Sequence, residues 1–170
     1  MRLFPAICAT VLLLAAGAVA AQTRGAHRAG DFDYYILALS WTPTWCRQDG
    51  DARGDGRCAA GAGMGWGLHG LWPQHERGWP QDCLTTHRDP SRAETAAMAG
   101  IMGSTGLAWH QWRKHGRCSG LSARDYFALS ARALETVRLP EVFERLPRSL
   151  NLPAQVIEQA FLEANPALAH

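Results

Sequence analysis

Four cysteines, Cys46, Cys58, Cys83 and Cys118, limit the possible folds of this chain more than any other feature, because of what precedes them. The sequence opens MRLFPAICATVLLLAAGAVAAQ: one basic residue, an uncharged apolar run, then the small residues Ala18-Val19-Ala20 that suit a leader-processing site. The apolar stretch falls short of the ~20 residues a spanning helix wants. Residues 1–20 therefore read as a signal peptide, Cys8 leaves with it, and no membrane association is expected of the mature chain. An even number of cysteines in an exported protein reads as two disulfides, with three pairings open. Structural zinc is the rival reading, and no CxxC or HExxH spacing supports it.

The mature chain, taken as residues 30–170, is long enough for one domain with its own core, and it holds no repeat, linker or low-complexity tract. The net charge is only +2, so no bulk field announces a polyanionic partner, and any such partner must be recognised by a local site.

Residues 33–41, DYYILALSW, predict a largely buried strand that stops at Pro43. The stretch CRQDGDARGDGRC, residues 46–58, is nearly all Gly, Asp and Arg and reads as an exposed loop that its own two cysteines could close. A second strand is expected over Met64–Pro73, MGWGLHGLWP, ending at Pro73 because proline cannot continue a ladder. A loop follows to Asp89, then a helix over residues 92–102 ended by Gly103 and Gly106. The next helix runs to Gly116. Another starts at the capping-box-like Ser122-Ala123-Arg124-Asp125 and runs to about Val137, and first-turn prolines suggest two more over 140–146 and 153–164.

The second of these helices contains HQWRKH, residues 110–115. At ~100° per helical residue, with His110 at zero, Lys114 falls near 40°, Gln111 near 100° and His115 near 140°, while Trp112 and Arg113 fall near 200° and 300°. Four polar residues thus share an arc. A solvated face is the plain alternative, but such faces usually mix Glu with Lys, and this one has no Glu. Two histidines can supply the base and the acid of one reaction near neutral pH. A lysine or second cation beside them can hold an anion whose charge grows in the transition state. That set suits phosphoryl chemistry on RNA, which brings its own nucleophile in the ribose 2'-OH. His69, in WGLHGLWPQ, is the third candidate. On an apolar strand a lone histidine is more often a core residue, and Trp72 beside it more often packing than a stacking platform for a base.

Taken together, GLHGLWPQ and WHQWRKHGRC, in this order and about forty residues apart, resemble the two active-site segments of the ribonuclease T2 family. Looser similarity runs from LALSWTPTWC through SGLSARDYFAL to FLEANPAL. The resemblance implies an α+β fold with a central antiparallel β-sheet and packed helices. It implies a metal-independent endoribonuclease, with RNA as substrate and no cofactor, acting as a monomer in the periplasm or outside the cell. His115 would be the general base on the 2'-OH and His69 the general acid on the leaving oxygen. His110 and Lys114 would hold the phosphate, Trp72 would stack on a base with Gln74 as a nearby contact, and products would be 2',3'-cyclic phosphates and then 3'-phosphates. Cys83 would pair with Cys118, leaving Cys46 for Cys58.

Two departures from the family pattern stand out. Gln111 occupies the position where the family usually has glutamate, as a neighbour of the transition state. The family's last strands and a further cysteine pair normally follow the position of FLEANPAL, so the sheet is expected to lack them here. Two other classes compete with the enzyme reading: a catalytically weakened or inactive member that binds RNA or a partner, and a zinc hydrolase with His69, His110 and His115 as ligands.

Overall fold

The computed structural model describes residues 27–62, 65–146 and 150–168. The signal-peptide reading of residues 1–20 and the expected strand start at Met64 lie outside them. Strand β1, Tyr34–Trp41, pairs antiparallel with β2, Trp66–Gln74, from Tyr34 opposite Gln74 to Trp41 opposite Trp66. Helices α2 (Arg92–Met102), α3 (Thr105–Lys114) and α4 (Ala123–Glu135) follow, and α5 (Ala154–Ala164) comes last. The arrangement is α+β, with a small antiparallel sheet.

The core lies where β2 meets the three middle helices. Leu68 and Leu71 pack with Met98 and Met102 of α2, Ala108 and Trp112 of α3, and Ala123, Tyr126 and Phe127 of α4. Each large side chain so buried is worth ~1.5–3 kcal/mol. The two polar atoms that come with these aromatics are satisfied: Tyr126 Oη donates to Leu71 O at 2.9 Å, and Trp112 Nε1 donates to Asp89 Oδ1 at 2.9 Å.

The helix boundaries follow local chemistry. Ser91 and Glu94 form a full capping box at the start of α2, and Gly103 ends it in the left-handed region at φ 87°. Gly106, expected to help end that helix, instead lies inside α3, whose N-cap is Ser104. Ser122 caps α4 by accepting from Asp125 N, and α4 stops at Glu135, short of Val137.

Four expectations need correction. β1 is not largely buried: Tyr35, Leu37 and Leu39 pack against the core, while Tyr34 and Ile36 are 42% and 40% exposed on the opposite face. β2 does not end at Pro73 but continues to Gln74, because a missing N–H one residue from the strand end costs at most one rung. Residues 46–58 are not irregular loop; after a short helix α1 (Thr42–Trp45) they form a π-helical turn, Cys46–Gly50, and 3-10 turns at Asp51–Arg53 and Gly56–Cys58. The Cys46–Cys58 bridge, with Cα atoms 5.4 Å apart, ties these turns into a ring, and Arg57 is held by Asp55 and lies over the Trp45 ring at 4.0 Å. Over 140–146 the structure has only a 3-10 turn, Glu141–Phe143.

Candidate active site

Position 69 is where the strand pairing slips. Ala38 faces Gly70 but the next residue, Leu39, faces Leu68, so His69 is the extra residue of a β-bulge. A bulge leaves one residue unpaired and re-aims its neighbours. Leu68 and Leu71, three apart, therefore both reach the core. His69 and Trp72, also three apart, meet edge to face with ring centroids 5.5 Å apart.

The other half of the site comes from the C-terminal end of α3. His110 is exposed and Lys114 partly so, but the shared polar arc splits: Gln111 is 1% exposed and His115 6%. Helix α3 ends at Lys114, and His115 stands beyond it at φ −121° as its C-cap. Gly116 makes this turn possible, since a Cβ there would lie 2.7 Å from Trp112 and 2.8 Å from Tyr126. The turn brings the His115 ring onto the Trp72 indole, with centroids 5.0 Å apart and planes 24° from parallel. Gln111 Oε1 accepts the Trp72 Nε1–H at 2.7 Å. His69, Trp72, Gln111 and His115 thus form one contiguous group, with Lys114 and His110 close enough to act on it electrostatically. Gln74 is not drawn in: its Nε2 donates to the carbonyl of its own neighbour Pro73 at 2.9 Å.

Asp82 was not visible as a site residue in the sequence. It adopts a positive φ of 53°, alone in this among the described non-glycine residues, and its N–H donates to Lys114 O at 2.9 Å. The next residue, Cys83, is bridged to Cys118, Cα atoms 5.0 Å apart, while Cys118 N donates to His115 O at 2.9 Å. The turn that carries His115 is thus bracketed by a disulfide and two backbone hydrogen bonds. On the same loop Trp79 is 55% exposed.

The electrostatics favour neutral histidines. Burial, then the charges of Lys114, His110 and His69, push His115 down to about 4, against a smaller opposing pull from Asp82. Burial, then His110 and Lys114, lowers His69 as well. His115 Nδ1 is buried and has no hydrogen-bond partner among the described residues. Among the described residues no three His, Cys, Asp or Glu side chains are grouped to hold a metal ion, so His69, His110 and His115 do not form a ligand set.

A family model, described as the Ribonuclease T2 family, matches residues 32–162. A ribonuclease of Aeromonas hydrophila is 41% identical over 112 residues, covering 66% of this chain and 48% of that protein. Ribonuclease I of Escherichia coli K12 is 28% identical over 155 residues, covering 68% of this chain and 58% of its own. The chain spans about half the length of the first of these relatives. Among solved structures, RNase NT in complex with 5'-AMP superposes with a TM-score of 0.56 at 26% identity, over 79% of this chain and 73% of that one. Trichomaglin, titled an S-like ribonuclease, gives 0.60 at 24% identity over 79% and 77%, a likeness of fold. The matched span includes both histidine segments, the bulged strand and the bracketed turn, and the chain belongs to the ribonuclease T2 family.

Proposed function

We propose that this protein cleaves RNA by transesterification without a metal. His115 Nε2 takes the proton of the ribose 2'-OH as the 2'-oxygen attacks phosphorus. The bond from phosphorus to the 5'-oxygen breaks, and His69 protonates that oxygen as it leaves, giving a 2',3'-cyclic phosphate. Water then opens the cycle to a 3'-phosphate with the two histidines in exchanged roles. Lys114 and His110 hold the non-bridging oxygens as their charge grows. A base stacks on Trp72, and Trp79, exposed on the loop that follows β2, is a second candidate ring.

The observation that carries this reading is the arrangement of two histidines about one indole, His115 on its face and His69 against it, with Lys114 and His110 beside them. An exported location fits the two disulfides, and among the described residues no helix is long and apolar enough to cross a membrane.

The test is cleavage of single-stranded RNA by the oxidised protein, with and without EDTA, and identification of the cyclic phosphate. His115→Ala and His69→Ala are each expected to lose about 10²–10⁴-fold in rate while melting cooperatively. Cleavage that EDTA abolishes would overturn the metal-free mechanism, and near-normal rates in either variant would overturn the role assigned to that histidine. Binding of RNA without turnover would establish instead the inactive-member reading, which Gln111 favours.

A further inference from the structure

Gln111 sits where a solvated helix face would not place it. It is 1% exposed, and its Oε1 is spent on the Trp72 indole N–H. Gly70 keeps the space for this contact, because a Cβ there would lie 2.4 Å from both Gln111 Oε1 and Trp72 Nε1. The indole held in this way supports the His115 ring. That support matters because His115 Nδ1 is buried and, among the described residues, has no acceptor to orient it. A catalytic histidine is ordinarily held in place by a partner on its second nitrogen; here the stack on Trp72 fixes the plane of the ring.

We infer that Gln111 is a positioning residue, acting on His115 through Trp72, and that it does so as a neutral group. The inference rests on His115 being the base. The groups that face His115 are Lys114 and His110 from α3, His69 from β2 and Asp82 from the loop before Cys83. The first three disfavour an imidazolium and only Asp82 favours it. Gln111 is one helical turn before His115, whose N–H donates to its carbonyl at 2.9 Å. A carboxylate at 111 would add a second negative group at close range and hold the proton on His115 to higher pH.

Two substitutions separate anchor from charge. Gln111→Glu keeps an acceptor for the indole and changes the charge, whereas Gln111→Leu keeps neutrality and removes the acceptor. The readouts are the pH titration of His115 by NMR on histidine-labelled protein and the pH dependence of kcat/KM on a dinucleotide substrate. Gln111→Glu is expected to move the His115 titration and the acid limb upward together by about one pH unit. Gln111→Leu is expected to leave the titration in place and lower kcat about tenfold through misplacement of the base. Trp72→Phe, which keeps a ring but deletes the N–H, should give the same loss, and the double variant should be no worse than either single one. An unmoved His115 titration in Gln111→Glu, or losses that multiply in the double variant, would overturn the inference. If Gln111→Leu fails to melt cooperatively, Gln111→Glu and Trp72→Phe still decide. If the wild-type protein cleaves no RNA, the proposed function fails, while the NMR titration still judges the link from Gln111 to His115.

Discussion

A single methyl group at Gly70 tests the packing on which the site depends. In Gly70→Ala the new Cβ would stand 2.4 Å from Gln111 Oε1 and 2.4 Å from Trp72 Nε1, and 2.9 Å from the adjoining ring carbon. These are the two ends of one hydrogen bond, so neither atom can retreat without breaking it. Overpacking a well-filled site costs ~1–3 kcal/mol, and a buried group left without its partner costs a further ~1–3 kcal/mol. The sum, about 2–6 kcal/mol, corresponds to a Tm lower by roughly 6–20 °C for a domain of this size. Gly56→Ala is the matched control, since a Cβ there meets nothing within 4 Å, and it should stay within ~0.5 kcal/mol of wild type. Thermal melts of the three proteins and initial rates of RNA cleavage provide the comparison. A Gly70→Ala protein that melts within 2 °C of Gly56→Ala (roughly 0.5 kcal/mol) and cleaves at the wild-type rate would refute the packing of Gly70, Trp72 and Gln111 described above.

Cleavage should follow a bell-shaped curve confined to acid pH, because the base is neutral only above about 4 and the acid loses its proton as pH rises through a His69 value lowered from 6.5; a plateau extending past pH 8 would count against the assignment. Stability should fall over the same range. With the His115 value depressed in the folded state, the unfolded chain binds the extra proton between about 6.5 and 4, so acidification through this window removes up to about 3 kcal/mol that His115→Asn would not lose; equal acid sensitivity of that variant in urea melts would contradict this. Replacing Cys83 and Cys118 by Ala should cost about 4 kcal/mol by loop entropy and lower kcat, whereas replacing Cys46 and Cys58 should cost about 3 kcal/mol and leave kcat unchanged; equal effects on kcat would show that the bracket around His115 does not matter.

Much of the scaffold could be read from the chain because its signals are local. Gly103 ends α2, the capping-box-like Ser122 starts α4, and the apolar run from Tyr34 makes β1. Both disulfides implied by the family resemblance are formed. What escaped depends on partners distant in sequence. The slip at His69 is defined against β1, and only the small residue Gly70 beside it hints at the place. Helical angles put Gln111 and His115 on a polar arc, but they do not show that β2 covers that arc with Trp72. His115 left the helix because Gly116 packs beneath Tyr126 of α4. The short helix and turns of residues 42–58 were hidden by a Gly- and Asp-rich composition that ordinarily means loop.

The ring closed by Cys46 and Cys58 lies within the connection between β1 and β2, residues 42–65. The two strands meet only when that connection closes, and halving the effective length of a flexible loop saves ~0.6 kcal/mol of closure entropy. Oxidation of this pair therefore shortens the diffusive search by which β1 finds β2, making the encounter about threefold more probable. The bulge that presents His69 forms only with that pairing, so closure of this ring, some distance from His69, sets how soon the other half of the site has a partner to meet.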